Sequence, residues 1–312
     1  MIVDLTNYYN KKTRTLTLPN RYNVELDTIP NTIEHLILGF SFNQPILTPL
    51  PENLKSIKFG STFNQPVYAL YYNKFLTHLT FGYNFNQSIG ENTLPESLEE
   101  LIVGANFNNP IDKLPKNLKK LKLGYWFKQS VDGSLLPPSL THLEFGHAYN
   151  YPINNLPNSI THLTFGGNFN QPIIAGSLPS SLIELTFGDS FNKEVIDLPN
   201  SLAKLTFGRL FNQPISRNSL PDSITHLTFG DYFNQPASED SLPSTLIELT
   251  FGTCFSQPID SLPSTLVSLT VGVGFNEPME NLPYNLQILK IHEKYDNKYK
   301  IPFGCKVVRF NI

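Results

Sequence analysis

The chain has 312 residues, of which 40% are hydrophobic and 16% charged, and its formal net charge is −3 at pH 7. This balance argues against a surface built to attract nucleic acid or a membrane, and no stretch approaches the roughly 18 apolar residues of a membrane span. The first residues lack the basic segment and apolar run of a secretory signal. The two cysteines, Cys254 and Cys305, show neither metal-ligand spacing nor a disulfide framework. We therefore expect a reducing compartment, the cytoplasm.

Internal repetition organises the sequence. Residues 156–173 read Leu-Pro-Asn-Ser-Ile-Thr-His-Leu-Thr-Phe-Gly-Gly-Asn-Phe-Asn-Gln-Pro-Ile, and this frame returns every 20 or 22 residues, with a single spacing of 21. A degenerate frame begins near Tyr72 and a truncated one begins at Leu282. The other frames begin at Ile29, Leu50, Leu94, Leu114, Leu136, Leu178, Leu198, Leu220, Leu242 and Leu262. Length varies only after the Pro-Ile pair, which indicates a surface loop at that point.

In chain order, the pattern predicts a cap, a solenoid and a second cap. Residues 1–28 break the repeat and form the predicted N-terminal cap. Residues 29–290 hold about twelve full repeats plus the truncated one, and residues 291–312 form the C-terminal cap. Within that cap, residues 301–303 and 307–310 are predicted to make the closing layer. Because one coil cannot bury its apolar side chains alone, we expect a single structural domain of stacked coils.

Each repeat predicts one short strand. In Leu163-Thr164-Phe165 the alternation places the apolar residues on one face and the polar ones on the other. Gly166 follows, and it can adopt a positive φ or admit a neighbouring backbone. Phe169 is expected to be a second core residue, while Pro157 and Pro172 exclude helix from their segments. Stacked coils would then pair their strands about 4.8 Å apart. The fold class predicted is mainly β, a solenoid of 20–22-residue coils with one parallel β-sheet and little helix.

Three columns of the repeat are nearly uniform. Two of them hold most of the 23 phenylalanines, and the glycine column is filled in all twelve full repeats. An asparagine follows the second phenylalanine position in most repeats, and its amide can satisfy backbone groups of the next coil. We predict an internal asparagine ladder, with ligand binding as the alternative. Its members are Asn43, Asn64, Asn86, Asn108, Asn150, Asn170, Asn192, Asn212, Asn234 and Asn276.

The motif Phe-Asn-Gln-Pro-Ile at residues 169–173, framed by Leu-Pro-x-Ser-Leu-x-x-Leu-x-Phe-Gly, resembles the FNIP repeat family. The resemblance covers about residues 29–290. It implies a leucine-rich-repeat-like fold and a source among social amoebae or the giant viruses that infect them. Several such proteins resemble ubiquitin-ligase adaptors with an F-box. The short N-terminal extension here leads us to expect no F-box, so any adaptor role would be indirect. If the source is a virus, the cytoplasm would be that of the host.

Two outward columns invite other hypotheses. The first holds five of the seven histidines, among them His142 and His162 in adjacent repeats near Glu144. A zinc site would need three or four ligands, so the column is interpreted as a solvated strand face with a metal site as the alternative. The second column ends in stacked threonines from Thr164 to Thr270. These suit a strand, although a regular threonine array is also typical of ice-binding solenoids.

Catalysis has little support in the sequence. No phosphate loop, nucleophile elbow, metalloprotease motif or paired cysteine and histidine occurs. Glu100, Glu144, Glu184 and Glu248 would lie on the strand face, as carboxylates do in polysaccharide-processing β-solenoids. We predict no enzyme and no cofactor, and we keep a carbohydrate-binding or polysaccharide-processing β-solenoid as the alternative. A self-associating structural element remains a third possibility.

Recognition residues are expected where the repeats differ from one another. The fifth repeat concentrates lysines in a predicted basic stripe, which comprises Lys113, Lys116, Lys119, Lys120, Lys122 and Lys128. Aromatic residues follow the glycine in several repeats, so cations and aromatic rings would lie together as in binding hot spots. We predict a non-enzymatic scaffold for protein–protein interaction, monomeric or weakly self-associating, with no membrane or nucleic-acid partner. The candidate interaction surface comprises Tyr83, Lys120, Lys122, Tyr125, Trp126, His142, His147, His162 and Tyr232.

Overall fold

One short strand per coil sets the architecture. The computed structural model describes residues 5–26, 29–47, 49–297 and 299–311, and the chain divides into two compact units, Met1–Tyr151 and Pro152–Ile312. The first unit contains β1 (Tyr9–Asn10), β2 (Thr15–Thr17), β3 (His35–Ile37), β4 (Ser56–Lys58), β5 (His78–Thr80), β6 (Glu100–Ile102), β7 (Lys120–Lys122) and β8 (His142–Glu144). The second contains β9 (His162–Thr164), β10 (Glu184–Thr186), β11 (Lys204–Thr206), β12 (His226–Thr228), β13 (Glu248–Thr250), β14 (Ser268–Thr270), β15 (Ile288–His292) and β16 (Lys306–Phe310).

Each unit carries a parallel sheet whose strands follow chain order. In the first unit, β2 to β8 pair in parallel with equivalent residues opposite one another, and β1 adds an antiparallel edge to β2. In the second unit, β9 to β16 pair in parallel in the same way. Helix in the described residues is limited to the 3-10 turns Thr6–Tyr8, Tyr68–Tyr72 and Gly133–Leu135. The predicted mainly β solenoid with little helix is confirmed.

The coil geometry extends past the boundaries predicted at residues 29 and 290. Strand β2 lies inside the predicted N-terminal cap, yet it pairs in parallel with β3. At the other end, Tyr295 stacks on Phe275 with ring centroids 5.8 Å apart. The sequence pattern missed the first coil because Leu18, Pro19 and Tyr22 replace the usual phenylalanine, glycine and phenylalanine. Of the closing layer predicted at residues 301–303 and 307–310, the second segment lies in β16, whereas the first forms no strand and leaves Phe303 fully exposed. The single domain remains a prediction.

The core of each unit is a double stack of phenylalanine rings beside the central leucines. Within one coil, Phe81 and Phe85 stack with centroids 3.6 Å apart, and Phe85 meets Phe107 of the next coil at 6.1 Å. The second unit repeats these spacings, and the prediction that Phe169 enters the core is confirmed by its complete burial. Such ring pairs contribute about 0.5–1.5 kcal/mol beyond their buried area. Tyr149 takes a phenylalanine position, and burial raises the pKa of its phenol to about 12.

The glycine column permits close contact between backbones, not a positive φ. A Cβ added at Gly82 would overlap the carbonyl oxygen of Gly60 in the preceding coil, and one at Gly208 would overlap that of Gly188. Only Gly176 and Gly304 have a positive φ among the described glycines, and both lie outside the column. Of the two roles the sequence left open, the structure therefore selects the admission of a neighbouring backbone.

The predicted asparagine ladder is confirmed in both units. The backbone N–H of Asn86 donates to Oδ1 of Asn64 at 2.9 Å, and that of Asn234 donates to Oδ1 of Asn212 at 2.9 Å. Where a glutamine follows the asparagine, it can add a second rung: Gln87 Nε2 donates to the Asn64 carbonyl and to its Oδ1, both at 3.1 Å. These side chains form hydrogen bonds with backbone groups of loops that lie outside the sheet.

We expect Gly82→Ala to destabilise the protein by about 1–3 kcal/mol or more, because the new methyl group must push two backbones apart. Gly90→Ala is the matched control in the same coil, since a Cβ there would meet only the Ser88 hydroxyl at an ordinary 3.5 Å. Urea denaturation of both variants measures the difference. Equal midpoints would contradict the close backbone contact.

Asn212→Ala should cost about 1–3 kcal/mol, because it leaves the backbone N–H of Asn234 without its acceptor. Asn200→Ala, at an exposed loop position, should change the free energy of unfolding by less than about 0.5 kcal/mol. Thermal denaturation followed by circular dichroism compares the two. If both variants melt together with the unaltered chain, the ladder contributes no stability.

Candidate interaction surface

Three predicted surface residues meet in the first unit. The Tyr125 ring stacks on the His147 ring with centroids 4.5 Å apart and an angle of 6° between planes. Trp126 meets Tyr125 edge to face at 4.7 Å, and the Lys128 ammonium lies 5.8 Å from the Trp126 ring centroid. We call Tyr125, Trp126, Lys128 and His147 the aromatic cluster. Its members come from two adjacent coils, so the cluster depends on the stacking of coils.

The backbone fixes this cluster firmly. Trp126 N–H donates to the Ala105 carbonyl, and Ala148 N–H donates to the Tyr125 carbonyl, each at 2.8 Å. Phe127 follows Trp126 and is fully buried, which anchors the loop after β7. Tyr125 and Trp126 nevertheless keep 45% of their surface exposed. A fixed, half-exposed indole with a cation over its ring can contact a partner at a low entropic cost.

The strand face beside the cluster is mixed in charge. Lys122 forms an ion pair with Glu144 at 2.6 Å, and Lys120 lies opposite His142 in the β7–β8 register. Lys119, in the same predicted basic stripe, pairs with Glu99 at 3.0 Å. Partial neutralisation of this stripe reduces its attraction for nucleic acid, since phosphate binding depends on unpaired cations.

Ion pairs also link neighbouring coils elsewhere on these faces. Glu34 is held by Arg14 at 2.5 Å and by Lys55 at 2.7 Å. Hydrogen bonding to Lys55, and then to Arg14, holds the pKa of this carboxyl below its usual value. These exposed pairs are worth little individually, and they set a charge pattern that differs from coil to coil.

The remaining predicted surface residues do not join the cluster. Tyr83 is exposed in the same loop column as Tyr125, but the coil of Ala105 lies between them. His162 and Tyr232 belong to the second unit. There His162 Nε2 lies 3.9 Å from Glu184, and Arg209 lies 5.5 Å from the Tyr232 ring centroid. Sequence reasoning placed Lys128 in the basic stripe and missed its position over Trp126, because no repeat pattern specifies a side-chain rotamer.

The other functions that the sequence suggested are metal binding, polysaccharide processing and ice binding. In the described part of the chain, no group of three or more His, Cys, Asp or Glu residues is placed to hold a metal ion. Glu184 lies between His162 and Lys204, at 3.9 and 3.7 Å, so this candidate carboxylate is engaged in an ion pair with Lys204. The threonine column is in register from β9 to β14, and ice binding stays a hypothesis that thermal hysteresis would test. No helix within the described ranges is long and apolar enough to cross a bilayer.

Comparison with known proteins identifies relatives. The family model described as FNIP Repeat matches residues 42–69, 74–106, 85–125, 107–148, 149–190, 169–210, 191–232, 211–254 and 233–274. CroV588, a circular LRR protein of the giant virus CroV, is 44% identical over 93% of this chain and 45% of its own, with a TM-score of 0.86. The chain thus spans a little under half the length of CroV588. YopM from Yersinia enterocolitica WA-314 is 20% identical over 97% of this chain and 74% of its own, with a TM-score of 0.53, which shows the fold alone. No curated protein sequence matches the chain.

Zinc should leave the melting temperature unchanged, because the described residues offer no three-ligand site. A site saturated to one hundred times its Kd would add about 2.7 kcal/mol to the free energy of unfolding. Differential scanning fluorimetry with and without zinc checks this. A rise that His142→Ala abolishes would establish a metal site on the histidine column.

Proposed function

Because the chain belongs to the FNIP repeat family, we propose that it is a non-enzymatic scaffold whose aromatic cluster binds a protein partner. Its leucine-rich-repeat-like solenoid is a fold commonly used for protein–protein interaction. The observation that carries the proposal is the Tyr125–Trp126–His147–Lys128 arrangement, in which packed aromatic rings lie beside a cation while Tyr125 and Trp126 stay 45% exposed. Interface hot spots are enriched in such aromatic anchors, whose immobility reduces the entropy lost on binding.

The charge pattern supports protein recognition over the alternatives. Ion pairs engage Glu144 and Glu184, two of the four carboxylates that a polysaccharide-processing site would have used. Lys119 and Lys122 are likewise paired, which disfavours a nucleic-acid partner. The strand face therefore offers alternating charges that can select among protein surfaces. We assign Lys120, Lys122 and His142 to this selective role beside the aromatic cluster.

We further propose a cytoplasmic setting and a partner from a host cell. The free thiols of Cys254 and Cys305 accord with a reducing compartment. The 44% identity to CroV588 supports a role between a giant virus and its host. An adaptor role in ubiquitin transfer would be one form of such a scaffold, with the aromatic cluster holding the protein to be modified.

Trp126→Ala should weaken partner capture by at least about tenfold, because truncation of an aromatic anchor that a partner buries costs about 1–2 kcal/mol or more. The melting temperature should stay unchanged, since the Trp126 ring is half-exposed. Immobilised protein would be used to capture partners from amoebal lysate, and calorimetry with the purified partner would quantify the loss. Adding Lys120→Ala should deepen the loss if the strand face takes part.

Tyr232→Ala is the matched control, because Tyr232 is also 45% exposed and also lies beside a cation. It should retain capture. Full capture by Trp126→Ala, or an equal loss in Tyr232→Ala, would contradict the placement of the binding site at the aromatic cluster.

A further inference from the structure

A second exposed aromatic surface lies in the first unit, at the loop between the second repeat and the degenerate third repeat. The 3-10 turn Tyr68–Tyr72 replaces the usual loop, and its tyrosines surround a depression of about 560 Å³ together with Leu47 and Asn92. Leu47 and Tyr72 are each 75% exposed, Tyr68 is 63% exposed, and Tyr71 meets Tyr72 edge to face at 5.4 Å. We call Leu47, Tyr68, Tyr71, Tyr72 and Asn92 the tyrosine groove.

The exposure of these rings is built into the fold. Val67 and Leu70 are fully buried in the same turn, and Asn73 is 3% exposed. Asn73 N–H donates to the Leu70 carbonyl at 3.0 Å, while its side-chain amide lies 3.3 Å from the Pro51 carbonyl. The backbone is thus fixed on both sides of Tyr68 and Tyr72, so their rings project from a rigid support. A preorganised aromatic surface keeps more of its contact energy as affinity.

The composition and size of the groove restrict its occupant. None of the described residues that line the groove carries a charged side chain, which disfavours phosphate groups and nucleic acid. Its four exposed apolar and aromatic side chains offer roughly 400–500 Å², whereas a stable protein interface needs about 800 Å² per partner. A second copy of the chain therefore gains too little here, and a short peptide segment matches the available area.

Among peptides, proline-containing segments suit a small aromatic groove best. A polyproline II segment is already extended, so it loses little conformational entropy on binding. Its rings pack flat on aromatic faces, and its solvated carbonyls can accept hydrogen bonds from tyrosine hydroxyls or from the Asn92 amide. We propose that the tyrosine groove binds a short, extended, proline-containing segment of another protein. This site shares no residue with the aromatic cluster, so it extends the proposed function and does not rest on it.

Calorimetric titration of the full chain with a decaproline peptide tests the proposal. We expect saturable binding that Tyr72→Ala weakens at least about tenfold, while a glycine–serine peptide of equal length does not bind. Tyr83→Ala is the matched control, because Tyr83 is 55% exposed in the same unit and lies outside the groove. It should bind decaproline like the unaltered chain, and partner capture through Trp126 should persist in Tyr72→Ala.

Three results would overturn the proposal: no saturable binding of decaproline, equal binding by Tyr72→Ala, or equal binding of the glycine–serine peptide. Concentration-dependent self-association that Tyr72→Ala abolishes, without decaproline binding, would assign the groove to a second copy instead. Should Tyr72→Ala lower the melting temperature, photo-crosslinking of a benzophenone-labelled decaproline to the unaltered chain replaces the variant. Crosslinks to the residues that line the groove would support the site, and crosslinks elsewhere would refute it; these residues are Leu47, Pro49, Tyr68, Tyr71, Tyr72 and Asn92.

Discussion

The close contact between backbones at the glycine column is the constraint on which the rest of the structure depends. At Gly82 and Gly208 the Cα lies against the carbonyl of the preceding coil, where no Cβ fits. This contact lets the turn after each strand follow its neighbour at strand spacing. The phenylalanines on either side of the glycine then stack within and between coils, and the asparagine beyond them reaches the backbone of the next coil.

Because of this constraint, the residues that determine the fold differ from those that can bind a partner. Leucine, phenylalanine, glycine and asparagine recur because each coil must match the next, so their recurrence along the chain says little about a partner. Side chains outside these columns differ from coil to coil. The aromatic cluster and the tyrosine groove both arise there, from Trp126 in one loop and from Tyr68–Tyr72 in another. Their rings stay exposed because the neighbouring side chains of Phe127 and Leu70 are fully buried and anchor the two loops. Recognition residues can therefore vary with little loss of stability.

Periodicity in the sequence was sufficient to predict the strands and the ladder. Alternation around Leu163 predicted the strand, and the recurrence of asparagine predicted the ladder, because both depend only on a residue's place within a coil. Periodicity could not decide between the two roles of glycine, since that choice depends on the distance between coils. It also missed β2, where Leu18 and Tyr22 conceal the repeat, and the position of Lys128 over Trp126, which is a matter of rotamer. Of the nine predicted surface residues, the geometry brings Tyr125, Trp126 and His147 into direct contact.

Residue-resolved amide hydrogen exchange tests the central claim most directly, namely that repeated side chains and not sheet pairing alone hold the coils together. The amides of Asn64, Asn86 and Asn234 lie outside the strands and donate to an asparagine of the preceding coil. The account predicts that they exchange as slowly as the amides of β5 and β12, because opening them requires the coils to separate. Exchange at the rate of exposed loop amides, with the strands still protected, would contradict it.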